Sequence, residues 1–251
     1  MTRLNVGVSG FKMKHRTYTL ASMLLSIAAG VLIRFAFAPY HYLFFVLLGL
    51  CLLLTAIGLS RRPFLCGFLF GVAEICSLSG WLVDTLLTHY QLPLHVSWGF
   101  FLGCIVIPLA LWPAVISRLL YHPARRLIIA RGPLTILVNA ILVASIFTTL
   151  EWVRVSFSPE NSWGYLPAVF AEQPQIILLA GYIGGPGILF LSVFSSAILV
   201  YAARLFVRSR PLSCLVALTI PLGIYLAAFN IRNELLFRSI NVPMKSIDVA
   251  L

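Results

Sequence analysis

The chain has 251 residues, of which 61% are hydrophobic and only 10% charged, with a net charge of +11. Soluble domains carry about 25% charged residues, so a water-facing surface cannot be built here, and a soluble enzyme, a disordered chain and a coiled coil are excluded. The apolar residues come in long runs rather than in alternating strands, which also excludes a transmembrane β-barrel. The reading is an all-α integral membrane protein. At about 20 residues per spanning helix, its apolar content fills about seven transmembrane helices. The basic excess then marks cytoplasmic loops rather than nucleic-acid binding.

In chain order, residues 1–17 are polar and basic, with Arg3, Lys12, Lys14 and Arg16 and no acid. The first apolar run, Tyr18 to Ala38, ends in Ala36-Phe37-Ala38, a small-residue pattern of the kind that signal peptides use for cleavage. Pro39 follows directly and a second apolar run begins at once, so the run is read as an uncleaved first helix. The second helix is placed at Leu43–Leu59, and Arg61-Arg62-Pro63 forms a tight basic loop. Helix three is expected over Phe64–Leu87 and helix four over Leu94–Leu120, kinked by Pro108 and Pro113. A basic loop with Arg118, His122, Arg125, Arg126 and Arg131 leads to helix five, Leu134–Val155.

Residues 156–174 make a longer polar segment. Gln175–Gly181 reads as an interfacial helix, and Gly184-Gly185-Pro186-Gly187 as a break. Helix six follows over Ile188–Phe206, closed by Arg204, Arg208 and Arg210, and helix seven over Leu212–Phe229. The division is therefore a basic N-terminus (1–17), a seven-helix membrane domain (18–229) and a polar tail (230–251). The basic segments alternate with segments that hold every acidic residue of the chain. By the positive-inside rule this sets the N-terminus in the cytoplasm and the tail on the far side.

Ionisable residues inside a bilayer are costly and point to function by default. Arg34 lies near the outer end of helix one, where it either serves a site or snorkels to the headgroups. Glu74 lies well inside helix three, as a proton or substrate site or as the partner of a buried cation. Asp84 stands about three turns further on. Glu151 and Arg154, at i and i+3, share one face of helix five. They form an interfacial ion pair or a headgroup site, since Arg suits phosphate. Trp81, Trp98, Trp152 and Trp163 fall near the outer boundary, as an aromatic belt would. His41, His89 and His95 match no ligand spacing, and the five cysteines lie in apolar runs without a C-x-x-C pair, so no metal and no cofactor is expected.

Several stretches together resemble the membrane part of the apolipoprotein N-acyltransferase family. Phe35-Ala-Phe-Ala-Pro39 resembles the family's first-helix ending, and Gly67-Phe-Leu-Phe-Gly71 through Gly80-Trp81 its third helix. Leu109 to Arg118 resembles the helix-four ending. Most specific is Leu150-Glu151-Trp152-Val153-Arg154, similar to the family's E-[FW]-[LV]-R, followed by Trp163 at the place of its F-P-W tryptophan. Pro174 to Gly187 resembles the stretch before helix six. The rest of the F-P-W-L-x-x-G-Y pattern is replaced by Glu160-Asn161-Ser162 ahead of Trp163-Gly164-Tyr165.

The resemblance implies a multi-pass protein of the bacterial inner membrane, with its tail in the periplasm. It implies transfer of an acyl chain from a phospholipid donor to the N-terminal amine of a diacylglyceryl-cysteine lipoprotein. It also implies a nitrilase-like domain with a Glu-Lys-Cys triad, and Lys245 to Leu251 resembles only that domain's first strand. No catalytic residue is therefore assigned. The chain is expected to be a truncated or split form, inactive alone or working with a separate nitrilase-like chain. Arg154 is expected to meet a phosphate and Trp163 to pack on acyl chains or on the substrate loop. Glu151 and Trp81 complete the candidate lipid site. Two alternatives stand beside this reading. One is a lipid- or lipoprotein-binding scaffold without catalysis. The other is an unrelated proton-coupled transporter, in which Glu74, Asp84 and the kinked helix four line a path.

Overall fold

Every regular element among the described residues is helical, and most of the helical length follows the apolar runs of the sequence. The computed structural model describes residues 8–129, 132–157, 164–171 and 173–207, with Thr219 and Gly223. Helix α1 covers Val8–Ile33 and ends in a tight 3₁₀ turn, Arg34–Ala36. It is followed by α2 (Phe44–Leu59), α3 (Pro63–Ser79) and α4 (Trp81–Thr88). Next come α5 (Leu94–Phe100), a π-helical stretch (Phe101–Val106) and α6 (Ile107–Ile129). The last are α7 (Pro133–Phe157), a 3₁₀ turn (Leu166–Phe170) and α8 (Pro174–Val207).

Four helical stretches among the described residues are long and apolar enough to cross a membrane: Thr19–Ala36, Leu94–Ile129, Pro133–Phe157 and Leu179–Val207. The pair α3 and α4 makes a fifth if counted as one bent span, and α2 is apolar but shorter. The expected helix seven, Leu212–Phe229, lies outside the described residues.

Two expectations are corrected. Helix three is not continuous. It bends by 51° between α3 and α4 at Gly80, where a Ser-Gly pair weakens the helix. Helix four is irregular at the π-helical stretch just ahead of Pro108, which has no N–H to give to the preceding turn. It also runs on to Ile129, so Arg118, His122, Arg125 and Arg126 stand on α6 and not in a loop. The helix expected over Gln175–Gly181 is present as the first part of α8, ahead of the expected break. The break falls at Gly184, whose φ of 70° and ψ of 173° interrupt the helix.

Close approach between α3 and α6 depends on small residues. A Cβ at Gly67 would collide with the Pro113 carbonyl and the Ser117 hydroxyl, and one at Gly71 would stand 2.8 Å from the Ala110 Cα. Small residues four apart let helices touch backbone to backbone where lipid offers no hydrophobic drive for association. Gly30 does the same for α1 against α3, where a Cβ would lie 2.8 Å from the Glu74 backbone nitrogen. The core lies between α2 (Leu50, Leu53, Leu54, Ile57), α6 (Ile116, Leu120, Leu127) and α8 (Leu189, Val193, Ala197). Ser196 ties α8 to α2. Its carbonyl accepts from Cys51 Sγ at 3.4 Å, and its hydroxyl, which donates to the Ser192 carbonyl at 2.9 Å, also lies 3.4 Å from the Leu47 carbonyl.

Candidate lipid headgroup site

The charged residues of α3 and α7 meet at one end of the bundle. Glu151 and Arg154 share a face of α7 because they are three residues apart. The Arg154 guanidinium donates from Nε and Nη2 to Glu151 Oε2, at 2.9 and 2.8 Å. Both side chains are only 13% exposed. Glu74 reaches the same place from α3. The three line a cavity of about 50 Å³, walled by Phe70, Leu78, Leu109 and Phe147. The sequence placed Glu74 and the Glu151–Arg154 pair on separate helices with no link between them; the fold brings them together.

Gly164 closes this cavity from the segment after α7. Its φ of 76° is a conformation that only glycine takes without strain. A Cβ there would lie 3.9 Å from Glu74 Oε1. Neither Gly164 nor Tyr165 was singled out as a site residue by sequence reasoning. The signal available was the glycine directly after Trp163, a residue type that turns favour. Burial raises the Tyr165 phenol above its ordinary range, and the Glu151 carboxylate pushes the same way while Arg154 opposes it.

A second, wider pocket of about 510 Å³ adjoins the first and shares Leu78, Ser79 and Gly164 with it. Arg34, Trp81 and Tyr165 line it. Arg34 is held there because the 3₁₀ turn ends α1 at that level, and Trp81 because the bend at Gly80 swings α4 outward. Trp81 is 52% exposed, so the pocket opens toward the surface beside an aromatic side chain. Asp84 is exposed on α4 and lines neither pocket. Trp163 lies outside the described residues. Among the described residues no three His, Cys, Asp or Glu side chains gather as metal ligands.

This is a multi-pass helical membrane protein with a compact charged cluster under a small, partly open pocket. Residues 29–198 match the family model of the apolipoprotein N-acyltransferase N-terminal domain, and the chain belongs to that family. It is also 26% identical over 190 residues to the apolipoprotein N-acyltransferase of Geobacter metallireducens (strain ATCC 53774 / DSM 7210 / GS-15). That match covers 75% of this chain and 34% of the relative, so the chain spans about a third of the relative's length.

Proposed function

We propose that this chain is the lipid-handling membrane module of an apolipoprotein N-acyltransferase. In this reading it holds the phospholipid acyl donor, and then the diacylglyceryl lipoprotein, with their headgroups at the cluster of Glu74, Glu151 and Arg154. The single observation that carries the reading is the joining of this cluster to a wider pocket lined by Arg34 and Trp81. A buried charged group is retained where a polar ligand must be met inside an apolar solvent. Arg34 and Arg154 supply donors for phosphate, and Trp81 supplies an amphipathic ring at the boundary.

The orientation belongs to the same proposal: N-terminus in the cytoplasm, seven spans, and the cluster near the outer face of a bacterial inner membrane. Its support is that the Arg61-Arg62 loop and the basic end of α6 lie at the opposite ends of α3, α6 and α7 from Glu74, Leu109 and Arg154. The acyl transfer itself, through a thioester on a cysteine nucleophile, is proposed only for the whole family protein.

The test is a chimera in which residues 29–198 replace the matching stretch of the Geobacter metallireducens relative. It is assayed for N-acylation of a diacylglyceryl lipopeptide with phospholipid as donor. Acyl transfer is expected, and an Arg34→Ala, Arg154→Ala chimera should lose most of it. A folded, membrane-inserted chimera without activity overturns the reading.

A further inference from the structure

The proposal here rests on the headgroup reading above and concerns what the smaller cavity takes. At about 50 Å³ it is a small, partly enclosed cavity beside the wider pocket.

The charge of its lining points to a cation. Two carboxylates and one guanidinium line the cavity. Arg154 directs two hydrogen bonds at Glu151. The Glu74 carboxylate accepts no hydrogen bond among the described residues, and only its backbone carbonyl does, from Ser77 Oγ at 2.8 Å. A carboxylate at this depth requires a proton or a cation. Next door the sign reverses. Arg34, half-buried, makes no side-chain hydrogen bond or ion pair among the described residues and lines the wider pocket. A small acidic cavity behind a wider basic pocket is complementary to an ammonium at the tip of a lipid headgroup.

We propose that Glu74 is a specificity residue that binds the primary ammonium carried by a lipid substrate, inside the small cavity closed by Gly164. Two substrates carry that chemistry: a phospholipid with an ethanolamine headgroup, and a lipoprotein with its free N-terminal amine. Only the first also brings a phosphate for Arg34.

The test uses the full chain in detergent micelles, with retained lipid counted by native mass spectrometry. One arm compares phosphatidylethanolamine, its N-acetylated form and phosphatidylglycerol. The other compares a diacylglyceryl lipopeptide with a free or an acetylated amine. The amine-bearing form is expected to be retained about tenfold better in at least one arm, the worth of one charge-assisted hydrogen bond. Glu74→Gln should remove that preference while lipid is still retained. Preference in the phospholipid arm, weakened by Arg34→Ala, assigns the site to the headgroup; preference in the lipopeptide arm alone, unaffected by Arg34→Ala, assigns it to the lipoprotein amine. Equal retention of free and acetylated forms in both arms overturns the ammonium site and leaves the headgroup reading standing. Retention of no lipid at all overturns both. The wild-type comparison decides the matter even if Glu74→Gln does not fold.

Discussion

Arg154 places two guanidinium nitrogens on one oxygen of Glu151, Nε at 2.9 Å and Nη2 at 2.8 Å, within a single turn of α7. The pair faces the cavity that also contains Glu74, so its geometry sets the charge of the site as well as the packing of the helix end. Removing one partner of a buried pair leaves an uncompensated charge and costs about 3–5 kcal/mol, whereas removing both costs far less. Arg154→Ala should therefore lower stability by an amount of that order. The double variant Glu151→Gln, Arg154→Met should recover most of the loss. Thermal unfolding in detergent checks this, and additive losses would show that the two side chains do not depend on each other.

Gly30 brings α1 onto α3 at the level of Glu74, where an added Cβ would stand 2.8 Å from the Glu74 nitrogen and 2.5 Å from the Phe70 carbonyl. Both neighbours are backbone atoms and cannot swing aside. Gly30→Ala is expected to cost about 1–3 kcal/mol, as overpacking does, and to shift α3 enough to weaken lipid retention. Thermal unfolding and lipid counting on the same sample check both effects.

Gly164 has space for a side chain, since a Cβ would meet only Leu78 Cδ1 at 3.6 Å and Glu74 Oε1 at 3.9 Å. The obstacle is its φ of 76°. Gly164→Ala should cost about 1–3 kcal/mol through the backbone alone. Gly164→Asn should cost less, because Asn is better tolerated in that region. Equal losses for the two variants would contradict this account of the turn.

Much of this arrangement was legible in the sequence, and the remainder has identifiable causes. The Glu151–Arg154 pair was readable because an i,i+3 spacing fixes a helical face regardless of the fold. The break at Gly184 was readable because a Gly-Gly-Pro-Gly run has little helix propensity. The bend at Gly80 was hidden, since one glycine within a long apolar run also reads as a site of close helix packing. Gly67 and Gly71 serve that packing role in the same helix. The meeting of Glu74 with Arg154 was not readable at all. It depends on how α3 and α7 are arranged in space, and no local pattern in the 79 intervening residues encodes that. Arg34 was left between snorkelling and a site, and its place in the wider pocket came only with the end of α1 and the bend at Gly80.

Away from the site, Arg204 of α8 caps the C-terminal end of α6. Its Nη1 donates to the Leu127 carbonyl at 3.3 Å and its Nη2 to the Ile129 carbonyl at 3.2 Å. These are carbonyls that a helix end leaves without internal partners. Arg204→Met should lose about 1–3 kcal/mol, the worth of charge-assisted hydrogen bonds, with no change in which lipids are retained. A change in lipid preference would show that the two ends of the bundle are coupled.

The most direct test of a headgroup site at the outer face is the side from which the wider pocket can be reached. Ala168, exposed on the pocket wall, and Arg61, exposed in the loop before α3, are each replaced by cysteine after the five native cysteines are removed. Intact spheroplasts are treated with a membrane-impermeant maleimide. Labelling of Ala168→Cys in intact cells, and of Arg61→Cys only after permeabilisation, is the predicted result. The reverse pattern would place the Glu74–Glu151–Arg154 cluster on the cytoplasmic side and contradict the proposed role.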